Sequence, residues 1–246
     1  MLEIRNLNKS FGAIQVSRDI CITIESNQCH AVIGPNGAGK TTLIHQISGV
    51  LQSDSGSVSL AGQDISSLSV PKRVQAGLGR TFQITSVLPS FSVLENLAIA
   101  AQSKSGSSMR FFADAANETA LNKKAQEILV RVGLGDRAQV TAADLSHGEL
   151  RLLELGIALV GDPKFLLLDE PMAGLGRTES AALVLLLLEL RKSLPMLLVE
   201  HDMDAIFKLA DVVSVLVDGS IVVSGSPDEV RADPAARAAY LGEETL

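Results

Sequence analysis

The residues best suited to chemistry begin with a glycine-rich run that ends in a lysine and two threonines. The run matches GxxxxGK[ST] and stands between an apolar strand pattern and an apolar helix pattern. Glycines let successive backbone N–H groups face phosphate oxygens at a helix N-terminus. The run therefore predicts that these residues bind nucleotide phosphates: Gly34, Pro35, Asn36, Gly37, Ala38, Gly39, Lys40, Thr41 and Thr42.

Two side chains of this run have individual expected roles. The Lys40 ammonium can reach the β and γ phosphates of a nucleotide, and the Thr41 hydroxyl can be a ligand of Mg²⁺. A glycine turn that arose by chance is the alternative, but it would not explain the position between a strand and a helix. A nucleoside triphosphate and Mg²⁺ are accordingly the expected cofactors.

A pair of acids follows the apolar run at residues 165–168. Asp169 and Glu170 end what resembles a buried strand, so both carboxylates are expected at the carboxyl edge of a sheet, beside the phosphate loop. We expect Asp169 to hold Mg²⁺ through water and Glu170 to act as the general base on the attacking water. The alternative is an acidic strand end that is merely solvated.

Strand and helix signals alternate at both ends of the chain and would position these groups. The apolar runs that predict strands are residues 2–7, 20–24, 30–33, 165–168, 197–199 and 212–217. Helical segments separate the later runs, which is typical of a parallel sheet covered on both faces. The predicted fold class is therefore α/β, with a P-loop NTPase core.

The middle of the chain has a helical character that begins at a capping box, Ser92-Val-Leu-Glu95. We predict a single domain, 1–246, in which a helical subdomain at 85–158 is inserted into a core formed by 1–84 and 159–246.

Composition argues against several other classes of protein. The 246 residues carry a formal net charge of −7, which gives no general attraction for nucleic acid, so DNA and RNA are not expected partners. The longest apolar run, 181–188, is far shorter than the about 20 residues that cross a bilayer. Cys21 and Cys29 lack metal or redox spacing and are expected to be core thiols.

A further motif, Leu145-Ser-His-Gly-Glu149, resembles the LSGGQ signature of ATP-binding cassette (ABC) ATPases. It also matches a capping box from Ser146 to Glu149, and both interpretations can hold because a capped helix N-terminus is an anion site. The resemblance implies that Ser146 and Gly148 contact the γ phosphate of ATP bound to a second subunit.

The other motifs of ABC ATPases follow in their usual order, and the resemblance covers nearly the whole chain. Phe11 looks like the aromatic residue that stacks on adenine, with Val16 beside it. Gln83 resembles the Q-loop glutamine, which senses Mg²⁺ and joins the core to the helical subdomain. His201 resembles the switch histidine that contacts the γ phosphate and orders the catalytic water. Ala173-Gly-Leu-Gly176 resembles the D-loop.

These matches imply a fold with a RecA-like core, an antiparallel β subdomain and an inserted helical subdomain. The implied catalytic residues are Glu170, His201, Gln83 and Lys40, and the implied metal ligands are Thr41, Gln83 and Asp169. Three positions depart from the common motifs. His147 and Glu149 replace Gly and Gln in the signature, and Gly176 stands where the D-loop often has Asp or Asn, which leaves open how tightly two sites of a dimer are coupled.

Several segments are similar to the hydrophobic, branched-chain amino acid uptake family: Arg80-Thr-Phe-Gln, Ser92-Val-Leu-Glu-Asn-Leu, Leu168-Asp-Glu-Pro-Met-Ala-Gly-Leu, Val199-Glu-His-Asp-Met and Arg237-Ala-Ala-Tyr-Leu-Gly-Glu. The similarity implies the ATP-hydrolysing subunit of an importer at the cytoplasmic face of a bacterial inner membrane. Its implied partners are a second ABC ATPase subunit, in a homo- or heterodimer, two transmembrane permease subunits and a periplasmic substrate-binding protein. A groove near Gln83 and residues 84–98 is expected to receive the permease.

Other functions are weighed against this interpretation. Urea and amide importers resemble the chain closely and remain open, as does a soluble ABC ATPase that does not transport. A GTPase would need an Asn-Lys-x-Asp segment, which the sequence lacks. A small-molecule kinase would not need the signature, D-loop and switch histidine. A silent binding subunit would not need Lys40, Glu170 and His201.

Overall fold

The structure is a computed structural model, which describes residues 1–81, 87–104 and 119–238. The strands in these ranges are β1 (Leu2–Phe11), β2 (Ile14–Ile24), β3 (Cys29–Ile33), β4 (Ser55–Leu60), β5 (Gln63–Asp64), β6 (Leu78–Arg80), β7 (Phe165–Asp169), β8 (Met196–Val199), β9 (Val212–Val217) and β10 (Ser220–Gly225). The helices are α1 (Lys40–Ser48), α2 (Val70–Ala76), α3 (Val93–Lys104), α4 (Thr119–Arg131), α5 (His147–Val160), α6 (Arg177–Arg191), α7 (Met203–Leu209), α8 (Pro227–Ala232) and α9 (Pro234–Ala236).

The strands form two sheets. One is antiparallel, with the order β2-β1-β4-β5, and the other has the order β10-β9-β3-β8-β7-β6. The second sheet is parallel apart from β10, which runs antiparallel to β9. The predicted α/β class is thus confirmed, and the parallel order places the ends of β3, β7 and β8 side by side.

Alternate residues of the central strands face two different cores, which explains their continuous apolar sequences. In β7, Phe165 and Leu167 pack with β1, β2 and α1, whereas Leu166 and Leu168 pack with α3, α4, α5 and α6. Side chains of a strand alternate between its faces, so a strand that is covered on both sides needs apolar residues at every position. The strand that is predicted to end in the catalytic acids, β7, is therefore packed on both of its faces.

The capping box predicted at the start of the middle section is present. Ser92 N donates to Glu95 Oε2 at 2.7 Å, and Glu95 N donates to Ser92 Oγ at 3.2 Å. The described residues between 87 and 160 contain α3, α4 and α5, with an isolated bridge from Ser92 to Thr141. The predicted subdomain boundaries stay predictions. No helix in the described ranges is both long and apolar enough to span a membrane.

One cysteine prediction was wrong. Cys29 is buried in β3 as expected, but Cys21 is exposed. Cys21 lies on β2, an edge strand whose side chains alternate between core and solvent at this point, and its position falls on the solvent side. Its sulfur accepts a hydrogen bond from Asn6 N at 3.2 Å.

A buried arginine holds the C-terminal end of α1. The Arg73 side chain is 2% exposed and donates only to carbonyl oxygens, two of which belong to Gln46 and Ile47 in the last turn of α1, at 2.8 and 2.7 Å. Its other bonds reach Ser66 O and Leu68 O. Since the last carbonyls of a helix lack partners within the helix, the guanidinium satisfies them and offsets the negative end of the helix dipole.

A buried histidine makes the stability of the fold depend on pH. His30 Nε2 lies 2.8 Å from Ser214 Oγ, and burial lowers the pKa of His30 from 6.5 to about 4. The folded state therefore disfavours the protonated ring. Stability from this group is complete above pH 6.5 and is lost as the pH falls toward 4, with a full loss of about 3 kcal/mol, since one pKa unit corresponds to about 1.4 kcal/mol.

His30→Gln removes this titration and keeps a polar atom for Ser214. We expect the original chain to lose stability relative to His30→Gln as the pH is lowered from 6.5 to 4. The free energies of unfolding are measured by urea denaturation. A difference that stays constant over this range would show that His30 does not cause the acid sensitivity.

Candidate functional site

The glycine-rich run forms a loop between β3 and α1, and neighbouring backbone explains two of its glycines. A Cβ at Gly34 would lie 2.1 Å from Leu216 O, and a Cβ at Gly39 would lie 2.6 Å from Val16 O. Gly39 also has φ of 108° and is the N-cap of α1. A glycine N-cap has no side-chain acceptor for the first N–H groups of the helix, which stay available to an anion.

The lysine of the loop is turned into it. Lys40 Nζ donates to Gly34 O at 2.6 Å and to Pro35 O at 2.9 Å, and the side chain is buried. Burial lowers the pKa of Lys40, and the negative charge of Glu170 opposes this effect. The loop therefore holds an ammonium group close to the strand end that carries Glu170.

Asp169 ends β7 and is 2% exposed. Arg80 Nη2 lies 3.5 Å from Asp169 Oδ2, and Arg80 Nη1 donates to Ser48 Oγ at 2.7 Å. Burial raises the pKa of Asp169, and the Arg80 charge partly offsets the rise. Sequence reasoning gave Arg80 no role of its own, although it lies on β6, directly beside β7.

The residues at this edge suit Mg²⁺ bound together with a nucleotide. Asp169 Oδ2 is buried without a hydrogen bond of ordinary geometry, and the Thr41 hydroxyl belongs to the first turn of α1. The described ranges contain no cluster of three or more His, Cys, Asp or Glu side chains that could hold a metal alone. Mg²⁺ commonly takes one or two carboxylates and completes its shell with water and substrate phosphates. The donor set therefore fits.

Glu170 and His201 meet across two strand ends. His201 Nε2 lies 2.7 Å from Glu170 Oε1, and Glu170 N donates to Val199 O at 2.8 Å. An ionised carboxylate can only accept, so in that state the imidazole donates. Glu170 has φ of 48°, a left-handed conformation that is uncommon for a non-glycine residue and concentrates at functional sites. The pair can place a base and a hydrogen-bonding imidazole beside Lys40.

A third acid lies behind this pair and was not predicted. The Glu200 carboxylate accepts from Met172 N at 2.8 Å, from His201 N at 2.6 Å and from Asp202 N at 3.4 Å. It is 3% exposed. The sequence did carry a signal, because Glu200 directly follows an apolar strand just as Asp169 and Glu170 do.

The signature segment begins α5 with the expected capping box. Glu149 N donates to Ser146 Oγ at 3.2 Å, and Ser146 N donates to Glu149 Oε2 at 2.8 Å. Arg137 Nε donates to the other Glu149 oxygen at 2.7 Å. The glutamate that departs from the common signature thus has a structural partner at each oxygen.

Two side chains join the signature segment to the D-loop of the same chain. A Cβ at Gly174 would lie 2.7 Å from His147 Nε2, so the imidazole rests on that glycine. A Cβ at Gly148 would lie 2.4 Å from Glu179 Oε1, and Glu179 Oε2 accepts from Gly176 N at 3.0 Å. Two of the three departures from the common motifs, His147 and Gly176, belong to this contact.

The remaining residues that the sequence predicted for the site are Phe11, Val16 and Gln83. Phe11 ends β1 and is 53% exposed, with Lys9 Nζ 5.6 Å from its ring centroid. Val16 is partly buried on β2, and its carbonyl oxygen faces Gly39. Gln83 lies outside the described residues. The roles assigned from sequence to all these site residues stay predictions.

Comparison with known proteins identifies the class. A family model described as ABC transporter matches residues 17–173, which is more than half of the chain. The chain belongs to the ABC transporter family, as its motifs predicted, and it is an ATP-binding and ATP-hydrolysing cassette. A second family model, described as branched-chain amino acid ATP-binding cassette transporter, matches residues 220–245.

Individual relatives cover the full length. The chain is 34% identical over 99% of its length to a probable branched-chain amino acid transport ATP-binding protein, LivG, of Archaeoglobus fulgidus, covering 96% of that protein. It is 30% identical over 99% of its length to the lipopolysaccharide export system ATP-binding protein LptB of Haemophilus influenzae, covering 98% of it. The crystal structure of the ADP conformation of an ABC transporter cassette matches with a TM-score of 0.88 and 30% identity, covering 98% of each chain.

Proposed function

We propose that this chain is the ATPase subunit of an ABC importer that takes up branched-chain or other hydrophobic amino acids. The observation that carries the substrate class is the match of residues 220–245 to the branched-chain family model, because that segment lies outside the general cassette match at 17–173. The LivG relative supports the same class and, through its name, transport of branched-chain amino acids.

The geometry supports a specific division of labour in hydrolysis. The loop N–H groups and Lys40 bind the ATP phosphates, and Phe11 stacks on the adenine with Val16 beside it. Glu170 takes a proton from the attacking water, while the His201 imidazole, 2.7 Å from Glu170, holds the γ phosphate and the water in line. Mg²⁺, held by Asp169, Thr41 and Gln83, would neutralise charge on the phosphates.

We further propose that two cassettes close head to tail. The N-terminus of α5, which Ser146 caps, is suited to an anion. In this arrangement Ser146 and Gly148 of one subunit would contact ATP bound by Lys40 of the other. Hydrolysis then opens the pair, and the change in separation drives the membrane subunits. The second cassette can be a copy of this chain or a similar chain.

An apolar groove is our proposed contact for the permease. It has a cavity volume of about 170 Å³ and is lined from α2, α3 and α5, with the following residues among others: Val70, Val74, Ala100, Ser103 and Ile157. Gly79 and Arg80 of β6 also line it, and they precede Gln83 by a few residues in the chain. Val74 is 43% exposed although apolar. None of the described residues that line it belongs to the expected segment 84–98, so the proposed contact lies beside that segment, on α2, the later part of α3 and α5. It would place the chain at the cytoplasmic face of the membrane.

The decisive experiment measures Mg²⁺-dependent ATP hydrolysis by the complex copurified from the membrane and reconstituted in vesicles. A periplasmic binding protein loaded with leucine, isoleucine or valine is expected to stimulate turnover, and the same protein without ligand serves as the control. A Val74→Glu chain should fail to copurify with the permease while it still binds ATP. Copurification of the Val74→Glu chain would reject the groove assignment.

The other candidates predict different outcomes of the same experiment. Stimulation by a urea- or amide-loaded binding protein alone would favour the urea and amide importers. Hydrolysis without any membrane partner in the purified complex would favour a soluble ABC ATPase. Copurification with a lipopolysaccharide-binding membrane complex would place the chain with its LptB relative instead. Each of these results would reject amino acid import.

A further inference from the structure

We infer that Glu200 is a positioning residue of the hydrolytic site, which sets the distance between Glu170 and His201. The inference rests on the proposed roles of these two residues and adds a third one behind them. The hydrogen bonds of Glu200 go to backbone N–H groups of the two loops that carry this pair, and it acts through them.

The first step is the span of the carboxylate. One oxygen, Oε1, accepts from Met172 N, two residues after Glu170, and the other, Oε2, accepts from His201 N and more weakly from Asp202 N. A single side chain thus ties the loop after β7 to the loop after β8. The parallel pairing of β7 and β8 ends at Asp169 and Val199, with one further backbone bond from Glu170 N to Val199 O. The bridge through Glu200 lies beyond that bond.

The second step concerns the cost of placing a carboxylate there. Glu200 is 3% exposed, and no Lys, Arg or His in the described part of the chain forms an ion pair with it. A buried carboxylate without hydrogen bonds is strongly unfavourable, and an apolar residue of similar size would fill the space at lower cost. The three N–H groups compensate the charge, and the side chain is therefore suited to fixing loop geometry.

The third step links this geometry to the reaction. The bond of 2.7 Å between His201 Nε2 and Glu170 Oε1 needs both loops in register. Without the Glu200 bridge, His201 N and Met172 N lose a buried acceptor and the loops can separate. A displacement of about 1 Å at a catalytic group can cost on the order of 100-fold in rate.

The test is Glu200→Gln in the reconstituted transporter. Glutamine has nearly the same shape, but it has one carbonyl oxygen, and its amide nitrogen cannot accept from an N–H group. It can therefore satisfy one loop and not both. We expect kcat to fall about 10- to 100-fold, while KM for ATP and the Kd of a fluorescent ATP analogue change less than about threefold, because the phosphate loop is untouched.

A double-mutant cycle with His201→Ala distinguishes positioning from general support of the fold. If Glu200 acts through His201, Glu200→Gln should have little further effect on single-turnover hydrolysis once the imidazole is gone. Asp211→Asn is the matched control. This carboxylate also accepts a backbone N–H, from Cys29 at 2.9 Å, and it pairs with Arg191. Asp211 directly precedes β9, at the amino end of the parallel strands, opposite the end that carries Glu170 and His201. Its kcat should stay unchanged.

Three results would overturn the inference: unchanged kcat for Glu200→Gln, an equal loss in kcat in the presence and absence of His201, or a loss of ATP affinity as large as the loss of kcat. If Glu200→Gln does not fold, Glu200→Asp replaces it, since it keeps the charge and shortens the reach. A wild-type kcat for Glu200→Asp would also overturn the inference. Failure of the proposed base is a separate result, because it would show as undiminished turnover by Glu170→Gln.

Discussion

Glu170→Gln is expected to lower ATP turnover by about 10²- to 10⁴-fold while ATP affinity is kept. The amide cannot take a proton from water, and removal of a general base typically costs this much. The amide oxygen can still accept from the His201 imidazole, so the geometry of the pair should survive. With bound ATP the two cassettes are expected to stay closed, and light scattering would then detect a dimer that does not dissociate over the period of a normal turnover.

Single-turnover release of phosphate and equilibrium binding of a fluorescent ATP analogue measure the two effects separately. Glu189→Gln is the matched control, because this glutamate is on the solvent side of α6 and pairs with Lys192. It should leave both quantities unchanged. Undiminished turnover by Glu170→Gln would rule out Glu170 as the base and would direct attention to another group near the γ phosphate.

Lys40→Ala is expected to weaken ATP binding by about 10- to 100-fold. The ammonium group is held by Gly34 O and Pro35 O at the inner side of the loop, where phosphate oxygens can take over as acceptors. A hydrogen bond to a charged group contributes about 1.5–3 kcal/mol, which corresponds to this change in Kd. Isothermal titration with ATP and Mg²⁺ measures it directly.

Lys40→Met separates the loss of charge from the loss of packing, because methionine retains most of the aliphatic stem. It should bind ATP as weakly as Lys40→Ala and unfold thermally at or above the original temperature, since burial disfavours the charged amine. Lys192→Ala, at the exposed end of α6, is the control for the loss of a lysine. ATP affinity close to the original value in Lys40→Met would contradict the role of the charge.

The central sheet could be predicted because its strands are buried on both faces. Every predicted strand is present, and 212–217 has the same bounds in the structure. The missed strands lack this signal. In β4 only Val58 and Leu60 are buried, and β6 has three residues whose pairing with β7 depends on contacts that are distant in sequence. Short or half-exposed strands are defined by tertiary partners more than by their own pattern.

The site shows the same division between local and distant information. The phosphate loop, the two acids and His201 could be placed because each lies at the end of an apolar strand or within two residues of it, and parallel strands end at one edge. The roles of Arg80 and Glu200 could not be predicted from their positions alone. The role of Arg80 depends on its contact with Asp169, and the role of Glu200 depends on its hydrogen bond from Met172 N. Neither contact can be inferred from the spacing of residues in the sequence.

The contact between the signature segment and the D-loop connects two parts of each chain that would belong to different nucleotide sites of a dimer. His147 rests on Gly174, and Glu179 connects Gly148 to Gly176. In a head-to-tail dimer, the signature segment would contact the partner's nucleotide, whereas the D-loop comes shortly after the chain's own Glu170. The absence of a D-loop side chain at Gly176 does not separate the D-loop from the signature segment, because the connection passes through the backbone N–H of Gly176. A displacement at one nucleotide site would then be transmitted through each cassette to the other nucleotide site, and the two ATP molecules would be bound and hydrolysed in a coupled way.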